Sequence, residues 1–142
     1  MPFPNEHYLR RDIIQHFKKR KKDFLYVEEM LIDIINNSSS SKNDVYYAVL
    51  GLRDVGTQQC IPILKELQDY PMRDVKDCSL LTISHIAGSK ETKFYVKMLE
   101  RKGSRKDYAM LAIVDSASSD AVDAVINYLE KVYKKLKQPK CE

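Results

Sequence analysis

No stretch of this sequence is apolar for long enough to cross a bilayer, which takes about 20 such residues in succession, so no membrane partner is expected. Glycine is scarce, four residues in all. None sits in the spacing of a P-loop or a dinucleotide-binding turn, where the missing side chain lets backbone close on phosphate. The G-x-S-x-G of a hydrolase nucleophile elbow is missing too. Histidine occurs three times. His7 and His16 have no cysteine or acid at ligand spacing, and His85 falls near the end of a helix, where the dipole favours a cation. Cys60, Cys78 and Cys141 are odd in number and share no metal spacing, which fits reduced thiols in a cytoplasmic protein. The opening residues MPFPNEHYLRR lack the apolar core of a secretory leader. These absences leave no catalytic residue, no metal and no cofactor to expect.

What is present is a single domain, residues 1–142, apolar enough at 44% for a continuous core. The net charge of +4 conceals an uneven distribution. Residues 1–22 hold seven Lys/Arg against Glu6 and Asp12, and residues 131–142 hold five Lys against Glu142. The intervening residues 23–130 carry twelve basic and seventeen acidic side chains. Cationic ends therefore flank an acidic middle.

The chain is organised around Asp44 to Leu67, DVYYAVLGLRDVGTQQCIPILKEL, which reads as helix, tight turn, helix. Val45, Ala48, Val49 and Leu52 share one face of the first helix. Gly56 is expected in the left-handed conformation that ends a helix, and Thr57 as the cap of the next. Ile61, Leu64 and Leu67 share a face of the second helix, and Pro62 is tolerated because it falls in the first turn. The pattern returns in Asp74–Leu99 and Lys106–Leu129. At a shift of 61 residues, Ala48 to Asp54 matches Ala109 to Asp115, and Ile61 and Leu64 fall on Val122 and Val125. Ala117 then stands where the first copy has its turn glycine, and Cys60 and Cys78 take small apolar positions matching Ala121 and Ala109. A period near 30 residues with two helices per unit marks a helical repeat architecture.

The segment L-x-x-V-G-T-x-x-C-I-P-I-L-x-x-L, Leu52 to Leu67, resembles the HEAT-like repeat of the short bacterial type, over three units from Asp44 to about Glu130. The resemblance implies an all-α fold: a right-handed α-solenoid of HEAT-like helical hairpins with an N-terminal helical capping pair. Its parts would be the helix pair 1–37, repeat 1 at 44–68, repeat 2 at 72–101, and repeat 3 with a C-terminal cap at 104–137. In the capping pair, Asn5 starts a helix with Leu9, Ile13, Ile14 and Phe17 on one face, closed by Lys18–Lys22. Asp23 is expected to cap a second helix with Phe24, Val27, Met30, Leu31, Ile34 and Ile35 inward. Asn36–Ser41 reads as a loop, Gly88-Ser89 as turn and cap, and Ser104 with Asp107 as a capping box. Lys131, Lys134, Lys135 and Lys137 are expected to keep the outer face of the last helix wet, and Gln138–Glu142 to fray.

Some HEAT-like hydroxylases bind iron through paired His-Glu motifs, and no such pair exists in this chain. HEAT-like DNA glycosylases stack a base on aromatic residues that include tryptophan, which this sequence lacks; phycobilin-lyase relatives are longer. Catalysis is therefore not expected. In HEAT-like folds the second helices line the concave face, which implies a partner-binding surface of Lys65, Gln68 and Asp69; Lys93, Lys97 and Arg101; and Asp123, Asn127 and Glu130. Nine tyrosines are available. Tyr46, Tyr47 and Tyr70 are candidates beside that surface, since tyrosine offers rigid area with a polar tip. A small repeat protein without enzyme motifs resembles the immunity proteins of bacterial toxin systems. The resemblance implies a cognate toxin domain, such as a basic nuclease, as partner and a monomer when free. Nucleic acid bound by the basic ends ranks second, and a scaffold role third.

Overall fold

The computed structural model describes residues 21–103 and 106–137. Every regular element among them is helical: α1 Lys21–Asn36, α2 Lys42–Val55, α3 Ile61–Glu66, α4 Arg73–Ala87, α5 Thr92–Glu100, α6 Lys106–Asp115 and α7 Val122–Lys137. Single 3-10 turns lead into α3, α5 and α7, and another follows α3. The helix expected from Asn5, most of the Lys18–Lys22 run, Ser104 of the proposed capping box and the frayed end fall outside the described residues.

The helices pack in two rows. α1 lies on α2, and α2, α4 and α6 follow side by side; α3 rests on α4, α5 on α6, and α7 on α5. Each row forms because one face of each helix is apolar at three- and four-residue spacing. In α2 that face is Val45, Ala48, Val49, Leu52 and Val55, all buried. Ile61, Leu64 and Leu67 of the second row, with Val75, Leu80, Ile83, Tyr95, Met98, Leu99, Ala109, Ala112 and Ile113, belong to the same core.

The turns differ from expectation in instructive ways. Asp23 is not a cap, because α1 is already helical at Lys21. The Asn36–Ser41 stretch is tied down: Ser41 Oγ accepts from the Asp44 amide and Asp44 Oδ2 from the Ser41 amide, both at 3.1 Å. Gly56 is extended, at φ −69° and ψ 147°, rather than left-handed. What requires glycine is space: a Cβ there would lie 2.4 Å from the Leu52 carbonyl oxygen, 2.8 Å from Ile86 Cδ1 and 2.9 Å from Cys60 Sγ. Thr57 caps as expected, accepting from the Gln59 amide at 3.2 Å. Gly88 does turn left-handed, at φ 56°. Ser89 does not cap α5 with its side chain; its carbonyl accepts from Thr92 Oγ1 at 2.7 Å. Ala117 takes the left-handed conformation at φ 51°, which costs an L-residue with a Cβ about 1–2 kcal/mol.

α1 holds a polar residue within its inward face. Glu28 is fully buried, accepting from the Thr57 amide at 2.5 Å and from Thr57 Oγ1 at 2.9 Å. A buried carboxylate is tolerable only with such partners. Cys60 sits beside it; burial, then the Glu28 charge, pushes its thiol up to about 12, so it is inert at neutral pH.

The last helix departs furthest from expectation. Its lysines are exposed, but none of its residues is buried. Val122, Ile126, Leu129, Tyr133 and Leu136 all stand in solvent, so α7 is not a wet terminal cap.

Leu52→Asp should abolish the cooperative unfolding transition and the helical circular dichroism, since an unpaired carboxylate at a fully buried site costs about as much as a domain's entire stability. Ala117→Gly, at an exposed position, should raise the melting temperature, with a gain of about 0.5–1 kcal/mol by denaturant titration.

Candidate functional site

The twelve residues expected to bind a partner do not form one surface. Tyr46 and Tyr47 lie on α2, in the first row, with ring centroids 5.7 Å apart. Tyr47 is 68% exposed, whereas Tyr46 is half-buried against the core. Lys65, Asp69, Lys93, Lys97 and Arg101 come together in the second row, lining a groove of about 810 Å³ between α3 and α5. Gln68 is not on that surface. It is 8% exposed and its Nε2 donates to Ser79 Oγ at 2.7 Å and to the Lys76 carbonyl at 3.0 Å. Tyr70 is half-buried against the core after the 3-10 turn that follows α3. Asn127 and Glu130 line a separate hollow of about 630 Å³ with Lys106, Tyr128, Lys131, Lys134 and Lys135. Asp123 is exposed nearby on α7 without lining it.

The α3–α5 groove is more cationic than the sequence implied. Lys65, Lys90, Lys93, Lys97 and Arg101 face Glu66, Asp69 and Glu91. Two of the cations are engaged. Lys65 Nζ is 2.7 Å from Glu91 Oε2 and 5.2 Å from the centre of the Phe94 ring. Arg101 pairs with Asp69, and that hydrogen bond holds the Asp69 carboxyl below its usual range.

The first row carries a smaller cleft of about 220 Å³ that spans α2, α4 and α6. Tyr46 and Arg53 come from α2, Asp74, Asp77, Cys78 and Thr82 from α4, and Tyr108 from α6. Burial, then the charges of Asp107 and Asp74, pushes the Asp77 carboxyl up to about 6, with Lys76 opposing. Desolvation raises the Tyr46 hydroxyl, followed by Cys78 and Asp74. Arg53 lines the same cleft as these acids. Asp74, Asp77 and Tyr108 were not among the residues expected from the sequence. One signal was there: Asp77 occupies a buried position on α4 between Val75 and Leu80, where a core residue belongs.

No group of three or more His, Cys, Asp or Glu among the described residues is placed to hold a metal ion. Compared with protein-family models, curated proteins and solved structures, the chain matches none.

Asp77 makes stability depend on pH in an unusual direction. Its folded pKa lies above the value for an unfolded carboxylate, so ionising it opposes folding. Stability should therefore rise as the pH falls through about 6, and in Asp77→Asn this rise should vanish from denaturant titrations between neutral and mildly acidic pH.

Proposed function

We propose that this chain is a non-catalytic protein-binding module, a right-handed HEAT-like α-solenoid that acts as an immunity protein. In this reading it binds a basic toxin domain, such as a nuclease, and blocks it by covering its active site or substrate groove. The repeat architecture is supported by first-row positions of the first and third helix pairs that are buried alike, Ala48 with Ala109 and Leu52 with Ile113, and by Cys60 with Ala121 in the turns. The observation that carries the binding mode is the first-row cleft, which Asp74 and Asp77 line together with Tyr46, Tyr108 and Arg53, with the exposed Tyr47 next to Tyr46. Lysine or arginine side chains of a basic partner would exchange water for carboxylates and aromatic faces there, and the acidic residues of the repeats would speed the encounter. The toxin identity rests on architecture and analogy.

The α3–α5 groove favours a second reading, in which its five cations hold an anionic partner such as nucleic acid. Phosphate contacts of that kind are sequence-blind and weaken with salt.

Coexpression with a basic nuclease domain encoded beside this chain should give a one-to-one complex and restore growth. Asp74→Lys and Tyr47→Ala should each weaken that complex by about tenfold or more, whereas Lys93→Glu with Lys97→Glu should leave it intact. Loss of duplex-DNA retention in the lysine variant, with no complex formed by the unaltered chain, would reverse the order of the two readings.

A further inference from the structure

The last described helix leaves exposed positions that are covered in the first repeat. At the 61-residue shift that aligns the first and third repeats, Ile61, Lys65 and Gln68 correspond to Val122, Ile126 and Leu129. In the first repeat these positions face the following pair. Ile61 is 3% exposed, Lys65 reaches Glu91 and Gln68 reaches Ser79. In the third repeat Val122 is 52% exposed, and Leu129 and Ile126 are exposed beside it. Tyr133 and Leu136 extend the row, giving apolar residues at 122, 126, 129, 133 and 136, an alternation of four and three that is the seam of a two-helix coiled coil. Val125 and Tyr128, on another face of α7, are the ones that pack on the core.

We propose that this seam is covered by α7 of a second copy of this chain, packed antiparallel about a two-fold axis. The choice of occupant and direction follows from charge. Along one flank of the seam Asp123, Glu130 and Lys137 recur at seven-residue spacing. The first half of the helix is otherwise free of lysine, while Lys131, Lys134, Lys135 and Lys137 crowd the second. Antiparallel pairing sets the Asp123 end of each helix against the Lys137 end of the other, twice by symmetry. Glu130 falls at the centre, where Lys134 of its own helix, four residues on, offsets it. Parallel pairing stacks eight lysines at one end. In the antiparallel register Ile126 packs on Leu136, and Leu129 on Tyr133, of the other copy. This departs from the expected free monomer. It is independent of the partner-binding reading, because the first-row cleft spans α2, α4 and α6 and uses no residue of α7.

Sedimentation of the full chain at about 100 µM, where a Kd of about 1 µM leaves most chains paired, should give twice the chain mass of 16.5 kDa. Leu129→Asp should give the single-chain mass with unchanged circular dichroism, since Leu129 is half exposed and lies outside the core cluster. In a Cys141→Ser background, mixing Ile126→Cys with Leu136→Cys chains should yield a disulfide-linked pair under mild oxidation, and Leu136→Cys alone should not. A monomer at that concentration, whether the seam stays bare or residues 1–20 cover it, would overturn the proposal. So would a dimer that survives Leu129→Asp, or efficient cross-linking of Leu136→Cys to itself.

Discussion

Each short helix of the second row packs on the first-row helix that follows it, α3 on α4 and α5 on α6, and these contacts arrange the molecule. Ile61 and Val122 stand at matching places in the first and third pairs, yet one is fully packed and the other stands in solvent. Their chemistry is nearly the same; what differs is that α3 packs on the helix after it, whereas no described helix follows α7. α1 packs on α2 as α4 does, and Val45, Val49 and Leu52 of α2 are buried. Helices this short are marginal on their own in water, so each depends on the shared core.

Apolar contact sets which faces meet, but it is tolerant of sliding; polar ties between neighbours fix the register. Glu28 of α1 holds the turn after α2 through Thr57. Gln68 holds α4 through Ser79 and the Lys76 carbonyl. Thr92 Oγ1, at the start of α5, lies 2.8 Å from Ser118 Oγ in the turn before α7. Lys65 and Arg101 add ion pairs on the wetter side. Exposed pairs of that sort contribute little each. The buried ties matter more, because leaving one half unpaired costs the full desolvation of a polar group.

Much of this was legible in the sequence. The helical class, the positions of the turns at Gly56 and Gly88 and the buried set Val45, Leu52, Ile61 and Leu64 follow from spacing and turn chemistry alone. What escaped was set by neighbours distant in sequence. Gly56 reads as a left-handed turn, but its role depends on Ile86, thirty residues away, which leaves no room for a Cβ. Gln68 reads as a surface amide, yet α4 closes over it. Glu28 lies at heptad spacing between Phe24 and Leu31, an anomaly visible beforehand, although Thr57 as its partner was not. The candidate site was the least legible part. Its expected residues were collected by helix number, whereas the structure distributes them over both rows and joins Tyr46 to acids on α4. The dryness of the last helix was misjudged because its lysines are conspicuous and its apolar row has ordinary composition.

The Glu28–Thr57 tie gives the contact between α1 and α2 a particular manner of coming apart. For α1 to lift from α2, the buried Glu28 side chain must part from both the amide and the hydroxyl of Thr57. Partial loosening therefore gains nothing, and fraying of α1 is suppressed in favour of detachment as one block. In hydrogen exchange, the Thr57 amide, although it lies in a loop, would then exchange at the rate of that block and serve as its clock.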